Sequence, residues 1–178
     1  MEIAERDAAL RVADLMAAAA RTAPKGSGKD KVITMILTGE DKDKLADEMR
    51  VAAEEYGEEF IERDSHNVDA SHCIVLIGVT SQIFGLTNCG MCGFKNCAET
   101  VKAGANCVFN ITDLGIAVGS AVSVAADHRI DNRVMYSAGR AAVRLGIFPE
   151  DVTVCWGIPL YTGSKSIFFD RNPGAVLK

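Results

Sequence analysis

Four of the six cysteines in this 178-residue chain crowd into one stretch, NCGMCGFKNCAETVKAGANCVFN, which places Cys89, Cys92, Cys97 and Cys107 in the spacing C-x2-C-x4-C-x9-C. Four soft thiolates in so short a run suit an iron–sulfur cluster or zinc. Structural zinc sites usually pair two short Cys-x2-Cys hooks, and this segment has only one. The leading expectation is therefore a four-iron, four-sulfur (4Fe-4S) cluster. The spacing follows neither the bacterial nor the plant ferredoxin run, so zinc and a thiol or disulfide device stay open as alternatives.

The residues between the cysteines fit a bulky inorganic core. Gly90 and Gly93 allow the backbone to wrap closely and aim N–H groups at sulfur, which would favour the reduced cluster. Phe94–Ala103 reads as a helix with Cys97 in its first turn and its positive end toward the anionic site. Gly104 then ends the helix and returns the chain to Cys107. Cys73 and Cys155 sit in apolar runs and read as inert core residues.

Bulk properties set the context for that chemistry. The chain is 48% hydrophobic and 24% charged, with a net charge of −5. That balance describes an ordinary globular domain and lacks the basic stripe a nucleic-acid partner needs. The opening residues, MEIAERDAALRVADLM, show no basic region followed by an apolar one, so no signal peptide is expected. Cys73–Val79 and Ile116–Ala126 are too short or interrupted to span a bilayer. The expectation is a cytoplasmic protein, in a reducing compartment where grouped cysteines bind metal or do redox chemistry. Its partner would be a redox protein or a small-molecule electron acceptor, with no membrane and no nucleic acid.

One domain, residues 1–178, must position the cluster segment at 85–110. Residues 5–21 read as a helix ending near Pro24, and Val32–Leu37 as a strand. Asp41 is expected to cap a helix running to about Tyr56, with Phe60–Arg63 a short strand. Cys73–Val79 is almost uniformly apolar, as in a central strand covered on both faces. Asp113 is expected to cap a helix through Asp127 that is buried nearly all round. A further helix runs from Asp131 to Gly146 with Val134, Ala138, Ala142 and Leu145 inward. Val152–Ile158 is the last strand, and the tail is irregular. This order implies an α+β layered domain with the cluster segment inserted after a core strand.

Other candidate residues have weaker spacing. The loop Lys25, Gly26, Ser27, Gly28, Lys29 could cradle a phosphate through backbone N–H groups and ammonium charge, although it is not a Walker A motif. Lys165, with Ser164, Asp170 and Arg171, could line a pocket in the tail. The junction Asp127–Arg133 reads as capping and ion pairing. His66 and His72 read as loop residues. No Ser–His–Asp or paired-carboxylate arrangement supports hydrolysis.

The segments ARTAPKGSGKD (20–30), NCGMCGFKNC (88–97), NCVFNITDLGIAVGSAVS (106–123), DNRVMYSAGRAA (131–142) and GSKSIFFDR (163–171) resemble an uncharacterised family of ferredoxin-domain-containing proteins from anaerobic bacteria and archaea. The resemblance implies an iron–sulfur site of ferredoxin type on Cys89, Cys92, Cys97 and Cys107 and a role in anaerobic redox metabolism. A weaker similarity to nitroreductase-like flavoproteins rests on the first helix with its AP-plus-polar loop and on DLGIAVGSAVSVAA. It implies a nitroreductase-like sheet with flanking helices, a homodimer, and FMN held near Lys25, Ser27, Lys29 and Lys165. The resulting alternative is an FMN-dependent oxidoreductase with a relay cluster; another is a zinc-binding structural module.

Overall fold

The structure, a computed structural model, describes residues 2–169. Its core is a four-stranded sheet in the order β1-β2-β4-β3, antiparallel throughout, built from β1 (Val32–Leu37), β2 (Cys73–Thr80), β3 (Asp131–Asn132) and β4 (Val152–Tyr161). Every residue of β2 is buried. Alternation of its side chains divides the core in two. Cys73, Val75, Ile77 and Val79 face α1 (Glu2–Thr22) and α5 (Val108–Asp127), whereas Ile74 and Leu76 face α2 (Gly39–Tyr56), α3 (Glu59–Ala70) and α6 (Tyr136–Arg144). A sheet covered by helices on both faces explains why CIVLIGV carries no polar face.

The register shifts between Val79 and Thr80, where Val152 opposes Thr80 after Val154 opposes Val79. The skipped residue, Thr153, is turned out of the ladder and donates its hydroxyl to Asn106 Oδ1 at 2.9 Å. This bulge re-aims one side chain toward the start of α5, beside Cys107.

Several elements differ from the sequence reading. Phe60–Arg63 lies in α3, where Ile61, Asp64, Ser65 and Val68 line one buried face. A four-residue window is too short to show a 3.6-residue period. Thr38, not Asp41, occupies the cap position of α2, and Asp41 falls in its first turn. Asp131 begins a two-residue strand against Tyr161 and Leu160, not a helix. The helix waits until Tyr136 because Met135 first exchanges two backbone hydrogen bonds with Gly157, at 2.7 and 3.1 Å. Val134 and Leu145 are exposed, while Met135, Ala138, Ala141 and Ala142 face the core.

α5 starts at Val108 with Cys107 in the cap position, so Asp113 lies inside the helix. By length and composition α5 is the one described helix able to cross a membrane. Its Leu114, Ala117, Ala121 and Ala125 are fully buried in the core that α1 closes. The expectation of burial all round fails: Ile111 and Ile116 are exposed, and open space lies beyond Gly115 and Gly119.

Candidate metal centre

Between Thr80 and Cys97 the chain forms no helix or strand. Two features hold this loop in shape. Gly90 (φ 64°) and Gly93 (φ 87°) take the left-handed region, and the Gly93 N–H closes a turn on the Gly90 carbonyl at 3.0 Å. Next, α4 (Cys97–Lys102) is capped by Asn96, whose Oδ1 accepts the Glu99 N–H at 3.0 Å, while Glu99 accepts the Lys95 N–H at 3.3 Å. Cys97 therefore opens α4, which is shorter than the Phe94–Ala103 helix of the sequence reading. Gly104 (φ 63°) ends it as expected: the Ala105 N–H reaches the Thr100 carbonyl and the Gly104 N–H reaches that of Val101, a Schellman pattern.

The outer end of the loop is fastened to the core. Buried Asn110, in the first turns of α5, donates to the carbonyls of Thr80 at 2.9 Å and Gln82 at 2.7 Å. Lys31 donates to Gln82 O and, at 3.4 Å, to Asn110 Oδ1, and lies 4.4 Å over the Phe84 ring. Phe84 packs against Phe109 with centroids 5.2 Å apart. Burial lowers the pKa of Lys31, Cys107 acts against that, Lys29 adds to it, and Asp113 again opposes it.

Cys89, Cys92, Cys97 and Cys107 all line a single narrow pocket, walled by the apolar side chains of Ile83, Phe84, Leu86, Val108 and Phe109. Cys107 is buried and the other three are partly exposed. The Cys92 thiol is held below its ordinary pKa, first by the Thr100 hydroxyl at 3.1 Å and then by the Phe94 N–H. The Cys97 thiol donates to the Leu86 carbonyl at 3.3 Å. Among the described residues no three His, Cys, Asp or Glu side chains are gathered tightly about a single point. The donor set nevertheless fits an iron–sulfur group: four thiols, apolar walls and glycine turns around one cavity. Burial pushes Cys73 and Cys155 up to about 12, consistent with inert core positions.

The phosphate-loop candidates have other partners. The Lys25 ammonium donates to the carbonyls of Ala20 and Arg21, both at 2.6 Å, and so caps the C-terminus of α1. The Gly26 N–H is shared by both oxygens of Asp113 at 3.0 and 3.1 Å, and the N–H groups of Gly28 and Lys29 close the loop on Lys25 O and Gly26 O. The side chains of Ser27 and Lys29 are exposed. Because Val32 pairs with Val79 and Cys73 with Leu160, this loop and the cysteine pocket share one end of the sheet, and the tail bearing Lys165 leaves from the other. The eight residues of β2 separate the two by about 26 Å. Asp170 and Arg171 lie outside the described residues.

Sequence reading missed Thr100, Asn110, Phe84 and Thr153. One signal was present: an Asn precedes the cysteine at 89, 97 and 107, and Asn96 and Asn106 are the cap and the Thr153 acceptor.

The sheet with helices on both faces resembles that of solved nitroreductases. It matches a nitroreductase with bound FMN from Desulfitobacterium hafniense at TM-score 0.59 and 15% identity, over 88% of this chain and 79% of that one. A nitroreductase in complex with FMN from Desulfovibrio desulfuricans matches at 0.60 and 16%, over 93% and 80%. At these identities the likeness concerns the fold. Residues 103–171, which include Cys107, match the family described as uncharacterized proteins containing a ferredoxin domain. An uncharacterized protein of Archaeoglobus fulgidus is 43% identical over 167 residues, 89% of each chain. The chain belongs to that ferredoxin-domain family.

Proposed function

We propose that the protein is a small cytoplasmic electron carrier that holds one 4Fe-4S cluster on Cys89, Cys92, Cys97 and Cys107. The observation that carries the reading is that all four thiols line one apolar-walled pocket. When bound, such a cluster takes up and releases one electron at a time. The chain supplies the rest. The Phe94 N–H and Thr100 hydroxyl point at the Cys92 sulfur. Phe84 and Phe109 wall the pocket, and the Asn110 and Lys31 contacts keep the loop registered on the sheet. Exposed Leu86, which lines the pocket, and exposed Met91, between Cys89 and Cys92, would offer an apolar contact surface to a redox protein or small acceptor.

The test is anaerobic reconstitution of the full chain followed by iron, sulfide and zinc analysis. Four irons and four acid-labile sulfides are expected, lost in Cys92→Ser and Cys107→Ser and kept in Cys73→Ser. Material free of labile sulfide, or carrying stoichiometric zinc instead, refutes the reading.

A second reading, an FMN-dependent oxidoreductase in which the cluster relays electrons, draws on the fold and on one further observation. The Lys25–Lys29 loop is tied through Asp113 to the helix that Cys107 begins. Ser27 and Lys29 would contact the flavin, with Lys25 shaping the loop from beneath. Lys165 of the same chain is at the far end of the sheet, so it joins such a site only from a second copy. The exposed, uncharged face of α5, with Ile111, Gly115, Ile116 and Gly119, is the surface we assign to that homodimer. Heat-released flavin and a dimeric mass in light scattering are the expected results. A flavin-free monomer after incubation with FMN removes this reading and leaves the first intact.

A further inference from the structure

We propose that Thr100 is a positioning residue for electron transfer, whose hydroxyl hydrogen bonds to the Cys92 sulfur and raises the reduction potential of the cluster. The proposal rests on the cluster reading above. Thr100 is 1% exposed, and its Oγ1 lies 3.1 Å from Cys92 Sγ and 3.2 Å from the Asn96 carbonyl. A hydroxyl has one hydrogen and can serve only one of these acceptors at a time. A metal-bound cysteine is a thiolate, an acceptor with no hydrogen of its own to offer. The Thr100 hydrogen then belongs on sulfur, where the charge is.

The geometry makes that choice inexpensive. Asn96 O keeps a second donor, the backbone N–H of Thr100 itself at 3.3 Å, so no buried carbonyl is stranded when the hydroxyl turns. Backbone bonds at both of its peptide groups hold Thr100 still, since its carbonyl takes the Ala105 N–H at 3.0 Å. A fixed donor stabilises the more negative, reduced state more than the oxidised one. One electron enters the cluster, and no proton moves: the hydrogen stays on the Thr100 oxygen throughout.

The experiment compares the full chain, anaerobically reconstituted, as wild type, Thr100→Val and Thr100→Ser. Dye-mediated redox titration reads the potential, and pulsed electron–nuclear double resonance in deuterated buffer reads exchangeable hydrogens on the cluster ligands. With iron and sulfide content unchanged, Thr100→Val is expected to lower the equilibrium constant for reduction about tenfold, a shift of about 59 mV downward. It should also lose one exchangeable coupling that Thr100→Ser keeps. A Val variant at the wild-type potential overturns the inference. Should Thr100→Val shed the cluster, Thr100→Ala repeats the comparison. Cluster loss in both while Ser is normal also overturns it, because the hydroxyl then merely retains the ligand. Wild-type protein without labile sulfide defeats the cluster reading and this one together, whereas a loaded wild type with an unmoved Val variant defeats only this one.

Discussion

Gly139 sits where α6 meets β4 with no room for a side chain. A Cβ built there would lie 1.9 Å from the Cys155 carbonyl oxygen, 2.4 Å from its carbon and 2.8 Å from Trp156 Cα. All three are backbone atoms of β4, hydrogen-bonded to the fully buried β2, so no side chain can swing aside. Ordinary contact begins at 3.4 Å, and the helix must therefore retreat by about 1.5 Å (3.4 − 1.9) in Gly139→Ala. A gap of that size beneath Ala138, Ala141 and Ala142 forfeits well over half of their dispersion contact. It also strains the paired bonds between Met135 and Gly157. Overpacking in cores costs about 1–3 kcal/mol, and a clash with backbone belongs at the top, about 3 kcal/mol. For a chain of this size that lowers Tm by about 6–12 °C. Urea unfolding measures it as a fall in midpoint at constant slope. Cluster loading at low temperature should be untouched, since no residue of α6 lines the pocket of Cys89, Cys92, Cys97 and Cys107. A variant within about 1 kcal/mol of wild type would show that α6 is not seated directly on β4.

Other outcomes follow from buried polar groups. Asp64, 4% exposed, accepts from Arg63 at 2.8 Å and Ser137 at 2.7 Å and lies 3.5 Å from Arg133. Asp64→Ala should destabilise by about 3 kcal/mol in urea unfolding, because the Arg63 guanidinium and the buried Ser137 hydroxyl lose the carboxylate they donate to. Asp113→Ala should raise amide exchange at Gly26 and cost about 1 kcal/mol, with exchange in β3 unchanged; equal protection at Gly26 would contradict the link. Iodoacetamide at pH 8 should leave Cys73 and Cys155 unlabelled in the native protein and reach them in denaturant, as their pKa of about 12 implies. Both thiols are raised by burial, so above pH 9 the native state binds more protons than the unfolded one. Stability is then full below pH 9 and falls as pH climbs toward about 12, which alkaline unfolding of Cys73→Ala should show in weakened form.

The sequence was most legible where one pattern had one cause. CIVLIGV reads as a central strand because both faces are covered, and Gly104 as a helix stop because only a left-handed residue fits there. The cysteine spacing picked out the four thiols that share a pocket. It was misleading where tertiary contacts override local preference. Asp131–Met135 would suit a helix start but is held extended by β4, and Asp113 looks like a cap yet serves Gly26 from within a helix. Val134 and Leu145 keep helical spacing in sequence but fall outside the face that the short α6 presents. Thr100 and Asn110 were invisible because a buried hydroxyl or amide announces itself only through partners distant in the chain.

Cys107 and its three companions arrive by different routes. The former stands at the head of the long helix beneath the sheet, fixed as soon as the domain folds; the others ride on a tether clipped at Asn110 and Asn96. On the proposed reading, the scaffold would mature first and take up a cluster afterwards, with Cys107 already in place. By the same division of labour, loss of such a cluster would leave the sheet and the α5 anchor untouched, since the contacts of Asn110 and the Asn96 cap do not depend on it.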